Sequence, residues 1–233
     1  MTSRVDFARG AYGPTEAARI VDIRTKRLRR WLDGERSQRT GESSLSVRPL
    51  IRDSEQRDAR LTLSFMDLVE TLFVKGFLDA GVRMKVIRVV HEEARHEFST
   101  RHPFAVKRFE HDGRTIIERV KRETDEVLVD RYTTNALIDA VMLPLVQKLE
   151  YHAITAEARR YFPLGADRPV VLDPRRSFGE PTTARRGVPT RVIFGAYKAG
   201  DSVQALARWY NVDRDEVEAA IEYEQALLDR KAA

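Results

Sequence analysis

Cysteine is absent from the 233 residues. That excludes disulfides and thiolate-held zinc, copper or iron–sulfur sites, and it suits a reducing compartment. No run approaches the roughly eighteen apolar residues of a membrane-spanning helix, and the N-terminus lacks the apolar core of a signal peptide. No membrane association is therefore expected, and the chain reads as cytoplasmic. Low-complexity tracts and internal repeats are missing too. So are the usual catalytic signatures: there is no Walker-type phosphate loop, no Gly-x-Ser-x-Gly elbow and no thiol nucleophile. His91-Glu92-Glu93-Ala94-Arg95-His96 superficially resembles a zinc-protease motif. Its second histidine stands at i+5, whereas i+4 is needed to share a helix face. His102, His111 and His152 lie in no ligand spacing. The expectation is a protein with no enzymatic activity, no cofactor and no metal.

Apolar residues at 42% and charged residues at 33% describe an ordinary globular protein. Charge, in contrast, is unevenly placed. Residues 1–60 hold 14 Lys and Arg against 9 Asp and Glu, which already equals the whole net charge of +5. Five of the seven residues from Arg24 to Arg30 are basic: Arg24, Lys26, Arg27, Arg29 and Arg30. Ile23–Leu32 contains no acid, so no i,i+4 pair can neutralise the segment. A localised cationic face is the footprint of a protein that docks on phosphates. The alternative is a solvated helix face with no ligand.

The segment from Tyr12 to Leu32 divides into a helix starting near Thr15, a tight turn around Asp22, and a second helix from about Thr25 to Leu32. Thr15 and Thr25 are expected to cap these helices through their hydroxyls. On a helical wheel Leu28, Trp31 and Leu32 form a packing arc, with Lys26 and Arg30 opposite. Residues 34–60 are polar and suit an irregular wing or small hairpin. Ser64 and Asp67 predict a capping box ahead of a helix with Phe65, Leu68, Leu72 and Phe73 on one face. Gly81 ends that helix, and Val86, Ile87, Val90 and Ala94 mark the next. Asp112-Gly113 predicts a β-hairpin over 104–120. It would serve as a packing or swapping element between protomers, or as a second basic wing carrying Lys107, Arg108 and Arg114. A short strand at Val127–Val129 and a helix over 134–150, interrupted by Pro144, follow. After a Pro/Gly-punctuated stretch at 163–190, Ser202 starts a helix ending near Tyr210. Asp213 with Glu216 starts the last, running to about Arg230.

Two family resemblances add to this. Tyr12, Glu16, Ala18, Arg19, Ile23, Leu28, Arg29 and Trp31 fall in register with the MerR-type winged-helix pattern, and residues 61–88 resemble the helix pair that follows it. Asp22 replaces the usual turn glycine, and Arg30 one of two aromatics. The resemblance implies a second helix in the major groove and wing residues on phosphates, Arg48 among them. Separately, residues 166–229 resemble the domain of unknown function 433 family, described as VapB-type antitoxin-like. The resemblance lies in Val171-Leu172-Asp173-Pro174, Gly179-Glu180-Pro181, Thr190-Arg191-Val192, Gly200-Asp201-Ser202 and Val217-Glu218-Ala219-Ala220. It implies antitoxin-like transcriptional control with a toxin as a possible partner.

Residues 168–198 hold seven basic residues against Asp173 and Glu180, whereas residues 201–233 hold eight acids against four bases. DNA-backbone contact by the basic loops and a dimerisation or partner-binding role both stay open for this region. The expected fold is mainly α with small β wings. It comprises a MerR-like winged helix-turn-helix over 1–100, a hairpin and connecting helix over 101–165, and a small helical, HTH-like domain over 166–233. The expected function is sequence-specific binding of double-stranded DNA as a homodimeric transcriptional regulator. A protein-interaction module that neutralises a toxin is the competing class. The candidate DNA-binding residues are Arg24, Thr25, Lys26, Arg27, Arg29, Arg30 and Arg48, with Arg175, Arg176, Arg185, Arg186 and Arg191 in the second basic region.

Overall fold

The computed structural model describes residues 10–33, 35–39, 42–47, 50, 62–124 and 134–232. The chain divides into a helical unit, Gly13–Leu145, and a sheet unit made of Met1–Tyr12 with Val146–Ala233. Among the described residues it is mainly helical, with one four-stranded antiparallel sheet and a helix-turn-helix near the N-terminus.

In the helical unit, α1 (Pro14–Val21) begins with proline at the first helical position, where a missing N–H costs nothing. Gly13 is its N-cap and no side chain caps it, so the expected Thr15 cap does not form. Asp22 closes α1 in the left-handed region at φ +62°, a conformation that Asp tolerates better than most side chains. The second helix, α2 (Thr25–Asp33), follows at once. Arg24 rather than Thr25 precedes it, its carbonyl accepting from the N–H groups of Arg27 and Leu28. A short antiparallel hairpin comes next, β1 (Glu35–Arg39) and β2 (Glu42–Val47).

The centre of this unit is α3 (Phe65–Asp79), apolar on most sides. The capping box is present: Asp67 N–H donates to Ser64 Oγ at 3.1 Å, and Ser64 N–H donates to Asp67 Oδ2 at 2.8 Å. Gly81 at φ +87° turns the chain into α4 (Met84–Phe98), which buries Val86, Ile87, Val90 and Ala94 as its spacing predicts.

The hairpin expected at 104–120 does not exist. Pro103–Ala105 form a 3-10 turn and α5 spans Arg108–Thr124. Phe109, Gly113, Ile116, Ile117 and Val120 are all buried, a helical spacing whose burial outweighs a local Asp-Gly turn preference. Gly113 is there for packing: a Cβ would meet the Phe109 ring at 3.0 Å. The Phe104 and Phe109 centroids lie 4.6 Å apart, and Phe73 and Phe77 surround them with centroids at 5.7–6.4 Å. The strand expected at Val127–Val129 lies outside the described residues. Helix α6 (Thr134–Val146) ends two residues after Pro144.

The sheet unit contains β3 (Leu149–Tyr151), β4 (Ala158–Tyr161), β5 (Val170–Leu172) and β6 (Pro181–Thr183), hydrogen-bonded in that order. Three helices follow: α7 (Thr190–Lys198), α8 (Val203–Tyr210) and α9 (Arg214–Ala232). Helix α9 serves two cores. Val217 and Ala220 pack with Ile193 and Leu206 of α7 and α8, while Ala219, Tyr223 and Leu227 pack with Val170 of β5. Ser202 caps α8 as expected, accepting from Ala205 N–H at 3.2 Å. Ala11 and Tyr12 also belong here. Ala11 N–H donates to the Phe178 carbonyl at 3.0 Å, and the buried Tyr12 hydroxyl donates to the Gly179 carbonyl at 2.8 Å.

Candidate nucleic-acid interface

Helix α2 is split into two chemically opposite faces. Leu28, Trp31 and Leu32 are buried, and the Trp31 carbonyl accepts from Leu50 N–H at 2.8 Å, which ties the end of the helix to the chain beyond the hairpin. Arg24, Lys26, Arg27, Arg29 and Arg30 are exposed, and Thr25 is half-buried. The separation follows from the 100° advance per residue, which puts positions 28, 31 and 32 together.

Electrostatically the exposed face is strongly one-sided. Among the described residues Arg24, Lys26 and Arg29 meet no acidic side chain. Arg27 is held differently. Its guanidinium lies 5.5 Å from the centroid of Trp31, one turn further on. Such a contact stabilises by about 0.5–1 kcal/mol at an exposed site and restricts the side chain without removing its charge. Guanidinium and ammonium groups crowded on adjacent turns of one short helix repel one another in water. A row of phosphates would turn that repulsion into attraction. Arg48 lies outside the described residues.

The second basic region behaves otherwise. Arg185 is clasped by α9 and the residues before it, at 2.5 Å from Asp215 Oδ1, 2.9 Å from Asp213 Oδ2 and 3.7 Å from Glu216 Oε2. The Arg185 hydrogen bond holds the Asp215 carboxyl below the usual carboxylate range and raises its own guanidinium in return. Arg191 pairs with Glu180 at 3.2 Å. Arg176 donates to the Ala184 carbonyl at 2.8 Å and lies 3.9 Å from the buried Asp173. Arg175 and Arg186 are exposed, with no ion-pair partner among the described residues. Three of the five arginines expected to contact DNA here are thus already matched by carboxylates of the same unit. Sequence reading missed this because the acids lie up to 31 residues away along the chain.

His91 is a core residue. Its Nε2 lies 3.0 Å from Glu70 Oε2, and the other oxygen of Glu70 accepts from the N–H groups of Phe104 and Ala105. His96 is exposed beside Glu92. Among the described residues no three His, Asp or Glu side chains converge as a metal centre requires, and no helix is long and apolar enough to cross a membrane.

Comparison with known proteins places this geometry in context. Residues 11–90 match the family described as "Putative DNA-binding HTH domain". The N-terminal match is thus to a helix-turn-helix. Residues 170–223 match the family described as "Protein of unknown function (DUF433)". A Mycobacterium tuberculosis protein named "Putative antitoxin VapB45" is 24% identical over 221 residues, spanning 91% of this chain and 92% of its own length. The crystal structure of Rv2018 from Mycobacterium tuberculosis shares the fold with a TM-score of 0.67 at 22% identity, over 90% of this chain and 96% of that one.

Proposed function

We propose that this chain is a cytoplasmic, sequence-specific binder of double-stranded DNA that regulates transcription as a homodimer. In this reading α2 lies in the major groove as in MerR-like winged helices, β1 and β2 form the wing, and Arg48 grips the backbone beside it. Arg24, Lys26, Arg29 and Arg30 approach bases or phosphates, and the Thr25 hydroxyl bonds a phosphate. Arg27, stacked on Trp31, presents a pre-oriented guanidinium. A dimer is proposed because a nine-residue helix offers few base contacts, and two half-sites multiply affinity.

One observation carries the reading: Arg24, Lys26 and Arg29 are exposed and uncompensated on a helix whose other face is fully packed. Changing those three to Ala is expected to abolish gel-shift binding to the DNA upstream of the chain's own gene, with an unchanged circular dichroism spectrum. Undiminished binding by a folded triple variant would remove the assignment.

A second reading makes toxin neutralisation the main task, with DNA binding secondary. It is favoured by the sheet unit, whose Trp209 is 66% exposed. The name of the mycobacterial relative agrees with it. Co-purification of a small protein in place of nucleic acid would favour this reading. Nucleic acid that is stripped by high salt, read from the 260/280 absorbance ratio, would favour the first.

A further inference from the structure

Helix α5 turns an apolar face inward and a cationic one outward. Lys107, immediately before the first residue of α5, stands at i, with His111 and Arg114 at i+4 and i+7, opposite Phe109, Ile116 and Val120; all three are exposed, and Glu118 shares this face. The neighbouring bases on its flank are engaged. Arg108 pairs with Asp112 at 2.7 Å and lies 4.6 Å over the Phe98 ring, and Arg119 pairs with Glu97 at 2.5 Å. Lys107, His111 and Arg114 have no such partner among the described residues. Glu110 and Glu118, each four residues from Arg114, form no ion pair with it. Lys107 also sits where its carbonyl accepts the N–H of Glu110, at the positive end of the helix macrodipole, a place that disfavours a cation.

We propose that this outward face of α5 is a second contact surface of the helical unit for duplex DNA, made to the phosphate backbone by Lys107 and Arg114 with His111 between them. The proposal rests on the DNA-binding reading above and extends it beyond the helix-turn-helix. Lys107 and Arg114 are seven residues apart, about 10.5 Å along a helix axis, too far to share one phosphate. The ligand is therefore a repeating anion. With both cations assigned to phosphates, which carry no sequence information, the contact is blind to sequence. Apart from His111 the stripe carries no aromatic ring on which an unpaired base could stack, which favours a duplex over a single strand.

The test uses the full chain, a mixed-sequence duplex and the duplex upstream of its own gene, with affinities measured across a salt series. Lys107→Ala with Arg114→Ala removes two phosphate contacts. The slope of log K against log salt should become shallower by about 1.8 on both duplexes, with the ratio of the two affinities retained. The companion variant is the α2 triple (Arg24, Lys26 and Arg29 to Ala). If it loses binding while the α5 double keeps the wild-type slope, the α5 surface is overturned and the DNA-binding reading stands. If the wild-type chain binds neither duplex at low salt, both fall. Thermal melting of both variants confirms that the losses are not unfolding. Should the α5 double melt early, Lys107→Gln with Arg114→Gln keeps the side-chain length and is expected to give the same slope change.

Discussion

Replacing Gly179 with Ala should unfold the sheet unit at markedly lower denaturant, and the cost can be worked from two atoms. Gly179 sits at φ +91°, and a Cβ there would collide with the Tyr12 hydroxyl and lie 2.8 Å from Cζ of the same ring. The backbone conformation alone disfavours an L side chain by about 1–2 kcal/mol. Pushing the buried Tyr12 ring aside adds about 1–3 kcal/mol of overpacking. It also breaks the hydroxyl's 2.8 Å bond to the Gly179 carbonyl, which contributes about 1 kcal/mol. Together these three effects cost about 3–6 kcal/mol. Tyr12→Phe separates the parts, since it loses the hydrogen bond but removes the oxygen that a Cβ would strike first. Urea unfolding of the two single variants and the double variant, followed by far-UV circular dichroism, gives the coupling. Gly179→Ala should cost about 1–2 kcal/mol less in the Tyr12→Phe background than in the wild type, because part of the clash is already gone. Strict additivity, or a Gly179→Ala variant as stable as the wild type, would refute the proposed packing of Tyr12 against residue 179.

Two further perturbations probe each unit separately. Glu70→Ala strands the two N–H groups of Phe104 and Ala105 together with His91 and should destabilise the helical unit by about 3–5 kcal/mol in thermal or urea unfolding. Glu70→Gln keeps an acceptor oxygen and should cost distinctly less; equal losses would refute the assignment. In the sheet unit, burial pushes the Tyr161 hydroxyl up to about 12 and the Tyr223 hydroxyl well above its usual value. The native state therefore keeps protons that the unfolded chain releases from about pH 10 upward. This contribution is fully present below about pH 10 and declines by about 2–3 kcal/mol for Tyr161 as the pH rises from about 10 to 12. Urea midpoints across that range, with Tyr161→Phe as the flattened control, check the sign.

The readable parts of the chain are those in which cause and effect lie within one or two helical turns. The Ser64–Asp67 box, the Ser202 cap, the Asp22 turn and the α4 stripe are local, and each is present in the fold. Helix α5 is hidden because Asp112-Gly113 is a strong turn signal taken alone, while the reason for Gly113 is a ring four residues back that only a helix brings close. The sheet is hard to see because strands of three or four residues are too short to show alternation, and β5 is buried at every position. Helix α7 begins inside the same Pro- and Gly-punctuated stretch, which masks it.

The candidate site divides along the same line. The basic run of α2 is legible because what makes it unusual, the lack of any acid from Ile23 to Leu32, is a property of adjacent residues. The arginines at 175–191 give an equally basic run, but most of their charge is answered by Asp213, Asp215 and Glu180, which only the tertiary fold brings near. Counting cations along a sequence therefore overstates the phosphate-binding surface wherever carboxylates return from a distant helix. Among the described residues the positive charge of the N-terminal sixty stays without an acidic partner at Arg24, Lys26 and Arg29, whereas the sheet unit engages most of its arginines internally. A nucleic acid attracted to this protein should therefore be drawn to the helical unit. Screening of the attraction by salt should be governed by α2 and α5, with Arg185 and Arg191 contributing little to the slope because releasing them for DNA would break ion pairs already made.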